Sequence, residues 1–491
     1  MGLFANELPY GVLSWTIFLP LGGAFLILLF SSDRMARWIA LVFTLIDFCL
    51  ALPLWYRFDP SKIGFQFVEI REWLPILGLR YAVGVDGISM PLVLLTALLS
   101  PICVLCSWHQ IEHRVRSFMF CLLLMETSMI GVFSALDFVL FYLFWEGMLI
   151  PMYLLIAVWG GPRRDYASLK FFIYTLVGSV FLLLGIIALY FKQGTFFIPE
   201  VLFRPYEERF QLLVFLAFAT AFAIKVPMFP FHTWLPAAHV EAPTAGSVFL
   251  ASILLKMGSY GFLRFCLGIT PKASLTMAPW ILMLSIIAII YAGFLCLGQE
   301  DMKRLIAYSS VSHMGFVTLG IFTFTLWGLK GAMLQMLNHG VTTGALFLCV
   351  GILYERTHSR LISDNSGLGK VMPLFVAFFG VFCFSSFAFP GTNNFVGELF
   401  VLLGAFEKDK TLGLFLLPGP VLAAAYMLRL LKRTVWKEGE VSPLWDLNAR
   451  EVFYLLPLLV AVLWVGFCPG KLVEVMEPAL MELLKNVKSM S

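Results

Sequence analysis

AFAIKVPMFPFHTWLPAAHVEAPTAGSVFLASILLKMGSYG, residues 221–261, sets Lys225, His232, His239, Glu241 and Lys256 among apolar neighbours and breaks the run with Pro227, Pro230, Pro236 and Pro243. A helix that only has to cross a bilayer needs neither feature. Ionisable residues inside a membrane are costly and mark a functional site by default, and broken helices are tolerated there only where they line protein or a water-filled cavity. The stretch predicts a charge-handling pathway inside a polytopic membrane protein.

Composition agrees. Of 491 residues, 60% are hydrophobic and 13% charged, against about 45–50% and about 25% in soluble domains. The apolar run 11–30 has no basic segment before it and no small-residue cleavage site after it, so it is expected to stay as a first span rather than leave as a signal peptide. The net charge of +4 is dispersed over short loops, which gives no indication of nucleic-acid binding. Only Cys103 and Cys106, of nine cysteines, have CxxC spacing. They read as ordinary membrane-helix cysteines, since Zn and Fe–S sites usually take about four ligands.

At about 20 apolar residues per crossing, the chain is expected to be all-α with about fourteen spans. These fall near 11–30, 39–57, 88–107, 117–136, 138–159, 168–191, 211–238, 243–268, 276–298, 302–325, 329–353, 372–405, 412–434 and 451–470. Alternate loops carry the basic residues: Arg34 and Arg37; Arg114 and Arg116; Arg163, Arg164 and Lys170; Lys303 and Arg304; Arg356, Arg360 and Lys370; Lys432, Arg433 and Lys437. The positive-inside rule makes those loops cytoplasmic and both termini opposite. Period-2 patterning through Phe65, Phe67, Glu69 and Arg71, a turn at Pro75 and Gly78, then Leu79, Tyr81, Val83 and Val85 predicts a β-hairpin within 59–87, a plain loop being the alternative. The tail GKLVEVMEPALMELLKNVKSM reads as an amphipathic surface helix. No linker divides the chain, so one membrane domain is expected. KVPMFPFHTWLP at 225–236 and FAFPGTNNFVGEL at 387–399 are both proline-interrupted and lie five spans apart, a pairing that points to an inverted-repeat site.

Within the spans, Glu146 in DFVLFYLFWEGMLIPMYLLI needs a partner, because a lone buried carboxylate is costly. Lys225 is the candidate. A Lys–Glu pair whose separation changes can load and release a proton; a static ion pair that fixes helix packing is the alternative. Lys256, His313, His339 and Glu398 follow in later spans and, with Ser309, Ser310, Ser312, Asn338 and Thr342, predict a polar lane through successive helices. Histidine suits such a lane because it titrates near about pH 6.5, although each histidine taken singly could be a hydrogen-bonded packing residue. Secondary candidates are Glu112 at the cytoplasmic mouth, Glu126 in mid-span, and His232 and His239 flanking the break, where the alternative is that the two histidines bond freed backbone groups. Asp137 reads as a helix N-cap and Asp47 as structural.

The segment FHTWLPAAHVEAPTAGSVFLASILLKMGSYG, together with LFWEGMLIPMYLLI and DMKRLIAYSSVSHMG, resembles the signature of the antiporter-like subunits of respiratory complex I, the proton-translocating NADH:quinone oxidoreductase. The resemblance covers nearly the whole chain. It is to the M-type member, because Glu398 stands where L- and N-type chains commonly carry lysine and the chain stops soon after its last span, without the long lateral helix of the L-type. The resemblance implies two inverted five-helix repeats, spans 4–8 (117–268) and 9–13 (276–434), each with a broken helix. Residues 1–116 hold spans 1–3 and the hairpin, and 435–491 the last span and tail. It also implies that Glu146 modulates Lys225, that Lys256 and His313 connect the half-channels, that His339 continues the lane and that Glu398 faces the exit. No cofactor or metal is expected in this chain; NADH, FMN, Fe–S clusters and quinone belong to partner subunits, and the neighbours are the L-type and N-type subunits. The expected location is a bacterial inner membrane with both termini periplasmic. Two alternatives stay open: a subunit of an Mrp-type Na⁺/H⁺ antiporter, and a scaffold in a related hydrogenase or dehydrogenase complex.

Overall fold

Backbone groups in hydrocarbon find no water, so an apolar chain must close its hydrogen bonds within helices. The computed structural model describes residues 4–5, 11–29, 32–436 and 444–489 and is mostly helical; Phe30 and Lys437 lie outside the described residues. The chain runs through α1 (Val12–Leu29), α2 (Asp33–Tyr56), α3 (Met90–Gln110), α4 (Val115–Ser134), α5 (Phe138–Gly147), α6 (Leu149–Trp159) and α7 (Arg164–Gln193). Next come α8 (Glu208–Lys225), α9 (Trp234–Glu241), α10 (Thr244–Leu267), α11 (Pro271–Leu297), α12 (Met302–Phe322) and α13 (Leu326–Thr357). The remainder is α14 (Pro373–Ser386), α15 (Asn393–Lys408), α16 (Lys410–Trp436), α17 (Ala449–Phe467) and α18 (Gly470–Ser489).

Among the described residues, 12 helices are long and apolar enough to cross a membrane, or up to 13 when the bent pair ending in α14 is taken as one. The protein is an integral membrane protein. Two stretches expected as single spans, 211–238 and 372–405, are instead each divided. Pro227 and Pro230 end α8 at Lys225 before the short α9 resumes, and Pro390 separates the 14-residue α14 from the 16-residue α15. Proline removes an amide donor and clashes with the preceding turn; the chain parts at these two places, whereas Pro20, Pro53, Pro101, Pro279 and Pro457 stay inside helices. The span 138–159 is also jointed, at Met148, where α5 meets α6. Asp137 caps α5, its side chain accepting from the Val139 and Leu140 amides.

The expected hairpin is present: β2 (Phe65–Leu74) runs antiparallel to β3 (Leu79–Val85), with Arg71 opposite Tyr81. The turn closes through Gly78 at φ 67°, a left-handed conformation that glycine adopts without steric cost. A two-residue strand, β1 (Phe4–Ala5), adds a parallel edge on β2. Bridges from Val83 to Ala135 and from Asp137 to Phe197 set the hairpin beside the 135–137 and 194–197 turns at one end of the bundle. The basic loops meet at the other end: the Trp159 indole donates to the His113 carbonyl at 2.9 Å, and Asp301 bridges to Leu361. At the hairpin end a buried ion pair, Arg264 to Asp86 at 2.5 Å, fastens α10 to the loop after β3. There α18 lies against α13 through Lys330 and Glu477, 2.6 Å apart. Helix α10 is wholly buried, α13 is buried except at its two ends, where Trp327 and Tyr354 are exposed, and α12 is nearly all buried, whereas α1, α2, α7, α11, α16 and α17 present most of their length outward.

Candidate functional site

Lys225 is the last residue of α8, where the carbonyl end of a helix favours a cation. The break after it frees backbone groups, and the Trp234 indole takes one of them, donating to the Ile224 carbonyl at 2.8 Å. The Lys225 ammonium is fully enclosed. It lies 5.0 Å above the Trp145 ring, a cation–π contact, with Met148 Sδ at 3.8 Å. Glu146 is close enough for its charge to act on Lys225, yet the two make no ion-pair contact among the described residues, and Glu146 Oε1 is buried without a hydrogen-bond partner. The expected pair is therefore a separated one, with both groups at joints: Glu146 one turn before Pro151, Lys225 just before Pro227.

Helix α10 packs on α8 at this point because Gly258 lets it. A Cβ there would sit 2.7 Å from Val226 Cγ2, 2.8 Å from the Phe222 carbonyl and 3.0 Å from Lys225 Cβ. Lys256 lies on α10 between two π-helical turns, Leu250–Leu254 and Phe262–Leu267, a distortion that concentrates at functional sites. Its Nζ donates to the Ala251 carbonyl and stands 2.6 Å from His339 Nδ1 on α13. The close crossing of the two helices is built on small residues: Gly340 leaves room for the Ser252 carbonyl, and the Ser252 hydroxyl donates to the Gly340 carbonyl at 2.7 Å.

From His339 the contacts continue. Its ring centroid is 5.8 Å from that of His313 on α12, and His313 Nδ1 is 2.9 Å from Glu398 Oε1 on α15. The Gln335 amide donates to the same carboxylate oxygen at 3.2 Å. His339 thus stands between Lys256 and His313, and Lys256, His339, His313 and Glu398 form one buried series across four elements. His339 Nε2, His313 Nε2, Gln335 Oε1 and Glu398 Oε2 are buried without a partner in the described protein.

The lane is narrower than the sequence suggested. The Ser309, Ser310 and Ser312 hydroxyls donate to carbonyls of Ile306, Ile306 and Ile289. Asn338 and Thr342 serve the second break: the Asn338 amide donates to the Asn393 carbonyl at 2.7 Å, and Thr342 and Ser385 share a 2.7 Å hydroxyl contact beside the Asn393 side chain. At the α8–α9 break His232 hydrogen-bonds the Pro230 carbonyl, whereas His239 takes up none of the backbone carbonyls freed at the α9–α10 break. Lys303 Nζ donates to the Ala242 carbonyl at 2.6 Å, Arg360 donates to the Val240 carbonyl, and the Gly161 amide donates to the Glu241 carbonyl at 2.9 Å. His239 stacks on Phe347 at 4.6 Å with both ring nitrogens unpartnered, and His232 stacks on Phe229. Glu112 is exposed in the loop before α4. At that end a cavity of about 190 Å³ opens beside His113, Glu241, Lys303 and Arg360. Glu126 is fully buried on α4 and faces Asp47 rather than the lane.

Sequence reasoning passed over Gln335, Trp145 and Gly258. Gln335 was within reach of it, four residues before His339 and hence on the same helix face; nothing local marks the other two.

Residues 135–422 match the family model described as "NADH:quinone oxidoreductase/Mrp antiporter, TM", and residues 16–132 that of "NADH-ubiquinone oxidoreductase chain 4, amino terminus". The chain belongs to this family. It is 45% identical over 497 residues to the NADH-quinone oxidoreductase subunit M of Rhodobacter capsulatus, covering 97% of this chain and 96% of that one. A chain of respiratory complex I from Thermus thermophilus superposes with a TM-score of 0.90 at 32% identity, over 97% of this chain and 99% of that one. A chain of the Mrp complex from Dietzia superposes with a TM-score of 0.85 at 22% identity, covering 95% of this chain and 52% of that one, a likeness of fold alone.

Proposed function

We propose that this family member works as the M-type, antiporter-like membrane subunit of a proton-translocating NADH:quinone oxidoreductase, and that protons cross it along Glu146, Lys225, Lys256, His339, His313 and Glu398. The observation that carries the reading is the buried series from Lys256 Nζ to the Glu398 carboxyl group, at 2.6 and 2.9 Å with a ring-to-ring step of 5.8 Å between centroids. Each member can gain and lose a proton, and the unpartnered ring and carboxyl atoms along it are the kind of buried polar groups to which ordered water binds. Changing the separation of Glu146 and Lys225 changes how tightly each holds its proton. The joints at Met148 and Pro227 are where that separation can vary without unwinding a helix. Trp145, set against Lys225, supports the charge when Glu146 is away.

In this reading the divided stretches 211–238 and 372–405 each complete a crossing, which gives fourteen, and spans 4–8 and 9–13 form two inverted repeats within a single membrane domain. The two proline breaks support it, Lys225 preceding one and Glu398 following the other. The redox groups, NADH, flavin, Fe–S clusters and quinone, belong to partner subunits, among them L-type and N-type neighbours. The basic loops face the cytoplasm of a bacterium, so both termini are periplasmic; the clustering of those loops at one end of the bundle supports this orientation. An Mrp-type antiporter role is the weaker reading, because that likeness is of fold at 22% identity against 45% for the subunit M relative.

The test is NADH-driven proton pumping in membrane vesicles. Glu146→Gln is expected to lower pumping more than Glu126→Gln does, and the reverse ranking means the wrong carboxylate has been placed in the route. Lys225→Ala separates relay from scaffold: an assembled complex that still pumps with the native proton yield defeats the relay assignment.

A further inference from the structure

Outside the relay, Asp47 on α2 and Glu126 on α4 are both completely buried, near the middle of their helices. The two carboxyl groups lie within hydrogen-bonding reach of each other, with Ser100 of α3 beside Glu126. Among the described residues the Ser100 hydroxyl, already donated to the Thr96 carbonyl at 3.0 Å, is the one donor in reach of Glu126, and neither Asp47 oxygen has one. An ionised carboxylate only accepts hydrogen bonds, so two facing carboxylates cannot bond each other however close they come. Among the described residues no basic group acts on either one; the one charge acting on Glu126 is that of Asp47. Helix α1, which packs on both α2 and α4, brings no titratable side chain within Val12–Leu29, and α3 brings Cys103, whose thiol is within electrostatic range of Glu126. Buried charge without a counter-charge is not retained; the group neutralises instead. Protons meet every requirement of the pair at once, since each neutral acid then donates its hydroxyl to the other's carbonyl oxygen.

We propose that Asp47 and Glu126 form a proton-binding site in the N-terminal helices, both held as neutral carboxylic acids and hydrogen-bonded to each other. The site is separate from the relay. Helix α3 stands between them, with Ser100 on the side of the pair and Leu95 packed at Gly340 on the side of Lys256. The inference does not rest on the route assigned to the relay.

Infrared difference spectroscopy of the intact membrane-embedded complex tests it. The wild type minus the Asp47→Asn, Glu126→Gln double variant is expected to lose two neutral-acid carbonyl bands, both shifted by H₂O/D₂O exchange, and no carboxylate band. Loss of one or two carboxylate bands overturns the proposal, because the pair then carries charge. If the double variant does not assemble, Glu126→Gln alone decides: loss of one neutral-acid band with carboxylates unchanged supports the neutral pair, and loss of a carboxylate band overturns it. A second readout is assembly. The amide of Glu126→Gln replaces the lost donor and acceptor, so assembled complex should stay within about twofold of wild type, whereas Glu126→Leu leaves the Asp47 hydroxyl without a partner and should lose several-fold. Equal loss in both overturns the hydrogen-bonded pairing.

Discussion

Gly258→Ala tests whether the close approach of α10 to α8 sets the geometry of the lysines. The added Cβ would meet Val226 Cγ2 at 2.7 Å, the Phe222 backbone oxygen at 2.8 Å and Lys225 Cβ at 3.0 Å. Carbon pairs rest at about 3.5–4.0 Å, so the shortfall is about 0.8 Å at Val226 and about 0.5 Å at Lys225. None of the three atoms is the free end of a long side chain. The helices must part by about half an ångström or more, and overpacking of this kind costs about 1–3 kcal/mol, offset by up to about 1 kcal/mol from alanine's better helix propensity. The stability cost is thus small enough for the complex to assemble. The positional cost is larger, since a shift of about 1 Å at a catalytic group can lower rates by about 10². Proton pumping at matched NADH oxidation is expected to fall about tenfold or more in an assembled complex. Gly380→Ala on α14 is the control, because nothing lies within 4 Å of its would-be Cβ; it should leave pumping at the wild-type level. Native pumping in Gly258→Ala, or equal damage in both variants, refutes the reasoning.

Trp234→Phe removes the donor to the Ile224 carbonyl while keeping most of the ring. A buried carbonyl left unpaired costs about 1–3 kcal/mol, so the melting temperature of the purified complex should drop while the ring packing against Phe171 is kept. Glu451→Leu breaks a two-pronged pair, Arg356 Nη1 and Nη2 to the Glu451 carboxylate at 3.0 and 2.7 Å, with both side chains 2% exposed. Stranding one buried charge costs about 3–5 kcal/mol; native gels should show loss of assembled complex, and a full yield would mean Arg356 finds another partner. On α18, outside the spans, burial pushes the Glu482 carboxyl up from 4.5. The folded state then holds a proton that the unfolded chain has released, so stability should fall as pH rises from the ordinary carboxylate range through the raised value. Glu482→Gln should flatten that pH dependence of melting, and an unchanged slope assigns it to another group.

Hydropathy, the two proline breaks, the hairpin and the chemistry-bearing residues were legible in the sequence because each is written within a few consecutive residues. Pro227 and Pro390 each lack an amide to donate and lie within a helix break, and Gly78 permits its turn by lacking a side chain. Arrangement was not legible in the same way. Which histidine follows Lys256 depends on contacts between residues 83 and 85 positions apart, Lys256 with His339 and His313 with Glu398, fixed by how helices cross at Gly258 and Gly340. Helix packing likewise withdrew the serines of α12 into bonds with backbone carbonyls, held Glu146 away from Lys225, and set Asp47 against Glu126, two residues that read separately as a structural acid and a secondary candidate for the site. Sequence alone determined that this chain crosses a membrane and carries titratable groups inside it, since the cost of burying charge and breaking helices is local. Only the tertiary structure decided which of those groups touch, because that depends on packing between distant helices.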